Sequence, residues 1–138
     1  MKLGVLTALF QDQSLEKALD IIAELGLEAV EIGTGNFVGD AHCNPSLLLE
    51  DEKKLKDFKR LIEEHNLFIS ALSCHGNPLH PDESFAREHR KTINETILLA
   101  ERLGVERVNG FAGCPGGSDS DRYPNWVTCP WPTYYSEI

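Results

Sequence analysis

No stretch of the 138-residue sequence approaches the roughly 20 consecutive apolar residues that a membrane-crossing helix needs. The opening Met1-Lys2-Leu3-Gly4-Val5-Leu6 also lacks the long apolar segment of a secretory signal. A cytoplasmic chain without a membrane partner is therefore expected. Cys43, Cys74, Cys114 and Cys129 form no CxxC pair, so neither a zinc motif nor a dithiol redox motif is written here. In a reducing compartment they are expected as four free thiols. Basic residues are in short supply, with 13 Lys and Arg against 22 Asp and Glu, giving a net charge of -9. Such a surface repels a phosphate backbone, which excludes nucleic acid as an expected partner. The turn after the first apolar run, Ala8-Leu9-Phe10-Gln11-Asp12, has no GxGxxG and so lacks the phosphate-binding turn of a dinucleotide-binding, doubly wound sheet.

What is present is a repeat. Lys2 to Thr7 is a short run rich in Leu and Val, and Leu15, Ala18, Leu19, Ile22 and Leu25 follow at helical spacing. Ser14 is placed to cap that helix and Gly26 to end it, before Glu28 to Ile32 resumes a strand. The pattern returns with Leu55, Phe58, Leu61 and Ile62, a stop at Asn66, and a strand over Leu67 to Ser73. It returns again with Phe85, Ile93, Ile97, Ala100 and Leu103, a stop at Gly104, and an apolar segment from Arg107 to Phe111. The three stops fall 40 and 38 positions apart, the rhythm of successive βα units.

Alternating strands and helices build parallel sheets through right-handed crossovers. The fold class is therefore α/β. With the doubly wound signature missing, the expectation is a partial (β/α)₈ barrel. It has four parallel strands near residues 2–7, 28–32, 67–73 and 106–111, in sequential order, and three helices. A whole barrel takes about 250 residues, so residues 1–138 read as its N-terminal half. Residues 112–138 hold four of the seven prolines, both tryptophans and all three tyrosines, and read as a long loop. Long loops of this kind tend to be functional.

Barrel chemistry sits at the C-terminal ends of strands, which selects a few residues by position. Glu31 ends the second strand, where a carboxylate can bind substrate hydroxyls, orient a histidine, join a metal site, or form a structural ion pair. The densest polar cluster is Ser73-Cys74-His75-Gly76-Asn77-Pro78-Leu79-His80-Pro81. His75, directly after the third strand, can accept a hydrogen bond, shuttle a proton or ligate a divalent metal. His80 and Pro81 read as shaping the turn into the next helix. Asn109 to Gly117 is glycine-rich and allows close backbone approach to a ligand. Cys114 has no local histidine, so cysteine catalysis is rejected. Trp126, Trp131, Tyr134 and Tyr135 suit either stacking on a sugar or packing of the loop. The substrate-binding candidates are thus Glu31, His75, Asn77, Cys114 and Trp126, with no catalytic residue and no metal ligand assigned.

Several segments together resemble the sugar phosphate isomerase/epimerase family, whose fold is like that of xylose isomerase. They are Glu24-Leu25-Gly26-Leu27-Glu28-Ala29-Val30-Glu31-Ile32, the Ser73–Pro81 cluster, Ala100-Glu101-Arg102-Leu103-Gly104-Val105, and Gly113-Cys114-Pro115-Gly116, with Tyr123-Pro124-Asn125-Trp126 beyond. The resemblance implies an enzyme of carbohydrate metabolism that uses a divalent metal (Mn, Mg, Co or Zn). Such an enzyme isomerises or epimerises a sugar or sugar phosphate by proton transfer next to a carbonyl. The family's usual ligands, two Glu, an Asp and a His, lie on strands of the second half, and no position here matches them. The chain alone is accordingly expected to be an inactive fragment. His75 matches the place of a metal-binding histidine in the related abasic-site endonucleases, but their strand-four histidine is replaced around Asn109-Gly110-Phe111. Two alternatives stay open: a non-catalytic half-barrel that associates with itself to cover its edges, and an endonuclease-like repair protein.

Overall fold

Each helix of the repeat is stopped by a residue in the left-handed conformation. Gly26, Asn66 and Gly104 have φ of +74°, +56° and +73°, a region that glycine and asparagine tolerate and most side chains avoid. At the other ends the caps are side chains. Ser14 accepts from the amide of Lys17, Asp51 from those of Lys53 and Lys54, and Asp82 from those of Ser84 and Phe85.

The computed structural model describes residues 1–125. In chain order they form β1 (Gly4–Leu6), α1 (Leu15–Glu24), β2 (Ala29–Gly33), α2 (Pro45–Glu50), α3 (Glu52–Glu64), β3 (Phe68–Ser73), α4 (Glu83–Leu103) and β4 (Val108–Asn109). Short 3₁₀ turns cover Thr7–Phe10 and Asn36–Val38. Residues 110–125 contain no helix or strand.

The four strands lie side by side in the order β1-β2-β3-β4, all parallel. Sequential order is that of a barrel arc, whereas a doubly wound sheet would place β1 in the interior. One irregularity interrupts the ladder: Val30 pairs with Ile69 but Glu31 pairs with Ala71, so Ser70 is an extra residue. Its hydroxyl donates to the Val30 carbonyl at 3.1 Å, which satisfies an acceptor at the break.

One sheet face carries the core. Val30, Ile32 and Leu72 pack with Leu19 and Ile22 of α1, Leu55, Phe58 and Ile62 of α3, and Leu99, Ala100 and Leu103 of α4, with Val5 and Val108 against them. Because side chains alternate along a strand, the opposite face receives Leu6, Glu31, Ser73 and Asn109. That is the concave side of the arc; Ser73 and Asn109 are the last residues of β3 and β4, while Glu31, which the sequence puts at the end of its strand, lies in the middle of β2 because Ile32 and Gly33 continue the ladder.

Two readings of the helices change. Three helices are expected and four are found, because Asn44 caps α2 by accepting from the Leu47 amide and Pro45 takes the first turn, where its missing N–H costs nothing. On α4 the spacing names Ile93 and Ile97 as core, yet Ile97 is 52% exposed. The buried face is Ala86, His89, Thr96, Leu99, Ala100 and Leu103. His89 and Thr96 are polar and absent from the apolar spacing, but each finds a hydrogen-bond partner on another element. Cys43, Cys74 and Cys114 are free thiols, and Cys129 lies outside the described residues.

Candidate functional site

Glu31 stands at the middle of the concave face. Its Oε1 accepts from Nδ2 of Asn109 at 3.0 Å and from the hydroxyl of Ser73. Ser73 and Asn109 are register partners across β3 and β4, so three adjacent strands contribute to one polar network. Glu31 is half-buried, and its Oε2 has no hydrogen-bond partner among the described residues. The sequence places Ser73 and Asn109 at the starts of two rim segments but assigns neither a bond to Glu31.

The support beneath this network is buried and saturated. Thr34, one residue past β2, gives both its amide (2.8 Å) and its hydroxyl (3.1 Å) to the Ser73 carbonyl. The Thr34 hydroxyl also lies 2.8 Å from that of Thr96 on α4. Because the Thr34 proton is already directed to Ser73, Thr96 must be the donor in this pair. Cys74 donates its amide (2.9 Å) and its thiol (3.7 Å) to the Asn109 carbonyl. Burial pushes the Cys74 thiol pKa up, and the Cys43 thiol, buried beside Asp40, is pushed up to about 12. Neither is a nucleophile.

His75 leaves β3 at the rim. Its carbonyl accepts the Phe37 amide at 2.8 Å, and its ring meets Phe111 edge to face with centroids 4.6 Å apart. Nδ1 of His75 is buried without a hydrogen-bond partner among the described residues. Buried polar nitrogens are seldom left unpaired, so a water or a ligand group belongs there.

Asn77 is fully buried and its side-chain amide makes three hydrogen bonds within the protein. Oδ1 accepts from the amides of Leu79 (3.2 Å) and Cys114 (2.8 Å), and Nδ2 donates to the Cys114 carbonyl at 2.9 Å. It ties the loop after β3 to the loop after β4. Cys114 is held by these main-chain bonds, and its half-buried thiol donates to the Pro115 carbonyl at 3.6 Å. The sequence reading of His80 as a turn-shaper matches its geometry, since Nδ1 accepts the Asp82 amide at 2.9 Å. Trp126, with Trp131, Tyr134 and Tyr135, lies outside the described residues. Beside the rim, a cleft of about 590 Å³ opens between His80, Phe85, Asp121, Arg122 and Tyr123.

Close approach by two side chains accounts for Gly76. A Cβ there would overlap Nδ1 of His89 and come within 2.7 Å of Nδ2 of Asn36. Asn36 uses that nitrogen to donate to the carbonyls of Cys74 (3.0 Å) and His89 (3.4 Å). Sequence reasoning reaches Asn36 only as the end of the rim segment Glu31 to Asn36, with no role, and misses His89. The one available signal was glycine immediately after His75, which marks a close approach without naming the partner.

The arrangement is a mid-strand carboxylate on the concave face and an imidazole at the C-terminal rim of a parallel arc, over a layer of hydrogen bonds. Residues 19–130 match the model of the xylose isomerase-like TIM barrel family. The chain belongs to this family. Over 140 residues it is 36% identical to the uncharacterized protein YfiH of Bacillus subtilis (strain 168), covering all of this chain and 44% of that protein. The chain thus spans less than half the length of this curated relative. The crystal structure of protein SMc04130 from Sinorhizobium meliloti 1021 shares the fold, with a TM-score of 0.55 and 20% identity over 86% of this chain and 39% of that one. Family membership and the strand order agree on the barrel. No helix among the described residues is long and apolar enough to cross a membrane.

Proposed function

We propose that residues 1–138 are the N-terminal part of a sugar or sugar phosphate isomerase or epimerase, in which a proton moves between carbons next to a carbonyl. The share of this chain is to bind and orient substrate hydroxyls. The observation that carries the reading is Glu31 on the concave face, with Oε1 fixed by Ser73 and Asn109 and Oε2 left to accept from a hydroxyl. Nδ1 of His75, at the C-terminal rim of the same sheet and without a hydrogen-bond partner among the described residues, supports it. Holding a substrate against rigid groups supplies the orientation that proton transfer needs.

No group of three or more His, Cys, Asp or Glu among the described residues is placed to hold a metal. A divalent metal therefore does not fit residues 1–125 alone, and no step is assigned to one here. Cys114 and Asn77 enter the proposal as residues that shape the site, with Glu31 and His75 making the contacts.

An NMR titration of the chain with neutral ketoses and ketose phosphates tests this. Shifts should concentrate at Glu31, Ser73, His75 and Asn109, and Glu31→Gln should weaken binding about tenfold, the loss of one charged hydrogen bond. Shifts confined to other parts of the fold would remove the reading. With manganese or magnesium present, the chain alone should incorporate no solvent deuterium into a ketose, and a version extended by four βα units should. Metal-dependent exchange by the short chain that His75→Ala abolishes would overturn the division of labour.

A second reading, a half-barrel that pairs with itself, is favoured by the edges of β1 and β4, which no further strand among the described residues pairs, and by the exposure of Leu3, Leu9 and Phe111. Sedimentation separates the two: a concentration-independent monomer removes self-association. The endonuclease alternative has the least support, because a net charge of -9 opposes DNA binding.

A further inference from the structure

The substrate reading leaves His89, a buried imidazole on α4, without a task. Its ring lies against Phe85, with centroids 4.1 Å apart, and edge-on to Phe37 at 5.0 Å. Nδ1 accepts the main-chain amide of Asn77 at 2.8 Å. A ring nitrogen that accepts a hydrogen bond does not carry the proton, so this is the neutral Nε2–H tautomer. Asn77 passes the constraint on through its two bonds to the backbone of Cys114, on the loop after β4. The absence of a Cβ at Gly76 is what lets the imidazole lie this close to the backbone.

We propose that His89 is a positioning residue, which in its neutral form holds the Cys114 loop at the rim through Asn77 and on protonation lets that loop go. Imidazolium carries a proton on Nδ1, and that proton would point at the Asn77 amide, donor against donor. The proposal rests on the location of the candidate site and not on the reaction assigned to it.

Several groups set the balance at His89. Burial is the main cause that lowers its pKa, and nearby His80 lowers it further by opposing a second positive charge. Glu88 on the same helix acts the other way. The loop after β2 contributes Asn36, which donates to the His89 carbonyl, and the ring of Phe37, neither of them charged. His80 is itself kept neutral chiefly by burial, against the pull of Asp82. The latch is therefore closed through the neutral range and opens in acid.

The test is NMR of the whole 138-residue chain without any sugar. Imidazole ¹⁵N shifts give the tautomer and titration of each histidine, and exchange of the Asn77 and Cys114 amides, corrected for intrinsic pH dependence, reports the latch. Both amides should lose at least about tenfold in protection, at one midpoint below about pH 6.5 that coincides with the His89 titration. His89→Asn, whose Oδ1 accepts where Nδ1 did, should keep the protection and abolish the midpoint. His89→Phe should expose both amides at every pH while the Ile22 and Leu72 amides stay protected. If the Phe variant fails to fold, the wild-type titration and the Asn variant decide alone. A Cys114 midpoint that follows His75 or His80, or one that persists in His89→Asn, overturns the proposal. A chain that binds no ketose yet shows release linked to His89 keeps this inference and sinks the substrate reading.

Discussion

Nδ2 of Asn109 lies 3.0 Å from Oε1 of Glu31, a contact between residues 78 positions apart that joins β4 to β2 across the intervening β3. A bond to a carboxylate in a half-buried place contributes about 1.5 kcal/mol, more than one between neutral groups. In a double-mutant cycle of Glu31→Gln and Asn109→Ala, urea unfolding should give a coupling of about 1 kcal/mol. Strict additivity would mean that the two side chains meet without stabilising each other.

The Thr34 and Thr96 pair has a direction, and the direction can be measured. Thr96→Val removes one donor and should cost about 1 kcal/mol. Thr34→Val removes that acceptor and also the hydroxyl given to Ser73, so it should cost about 2 kcal/mol. Denaturation midpoints that rank the two the other way would reverse the donor assignment.

Substitutions at two glycines should part company. Gly26→Ala meets nothing within 4 Å and is strained only through its φ of +74°, a cost of about 1 kcal/mol. Gly76→Ala drives a methyl group into His89 and Asn36, and overpacking against a buried and a half-buried side chain, both hydrogen-bonded, should cost about 3 kcal/mol. Thermal unfolding of the two variants checks the ranking.

Two kinds of histidine should give opposite pH limbs. The pKa of His65 is raised, first by the Leu61 carbonyl at 2.7 Å from Nδ1 and then by Asp20 at 3.0 Å from Nε2. Its stabilising contribution is whole below its unfolded value of about 6.5 and is lost as pH rises through the higher folded value. His80 and His89 are lowered, chiefly by burial. Their unfolded forms take up protons that the folded ones refuse, so stability is whole above about pH 6.5 and falls as pH drops. Urea midpoints across this range should show His65→Asn flattening the alkaline limb and His89→Asn the acid one. Identical profiles for the two variants would contradict the assignment.

The repeat was legible because its punctuation is chemical. A left-handed helix stop demands Gly or Asn, so Gly26, Asn66 and Gly104 announced the βα units and, with them, a parallel arc. The position of His75 was legible because it directly follows an apolar run, whereas Glu31, which the sequence puts at the end of its strand, lies in the middle of β2. Helix α2 was not, since Pro45 at its start looks like a loop residue until Asn44 is seen to cap it. Nor was the buried face of α4, because His89 and Thr96 are buried by virtue of Asn77 and Thr34, and spacing within one helix carries no information about partners on other elements. Ser73 and Asn109 fell inside the segments selected at the strand ends, but their bonds to Glu31 were not legible, for the same reason.

Ser70 gives β3 one residue of slack. The neighbours of the bulge already alternate correctly if Ser70 is skipped, with Ile69 toward the helices, Ala71 away from them and Leu72 toward them again. A one-residue deletion in this stretch can therefore be absorbed by surrendering the bulge, at the loss of the hydroxyl bond to Val30, while Ser73 and His75 keep their places at the rim. A one-residue insertion has no such reserve to draw on and would turn Ser73 toward the helices. Length change in this strand is thus tolerated in one direction only.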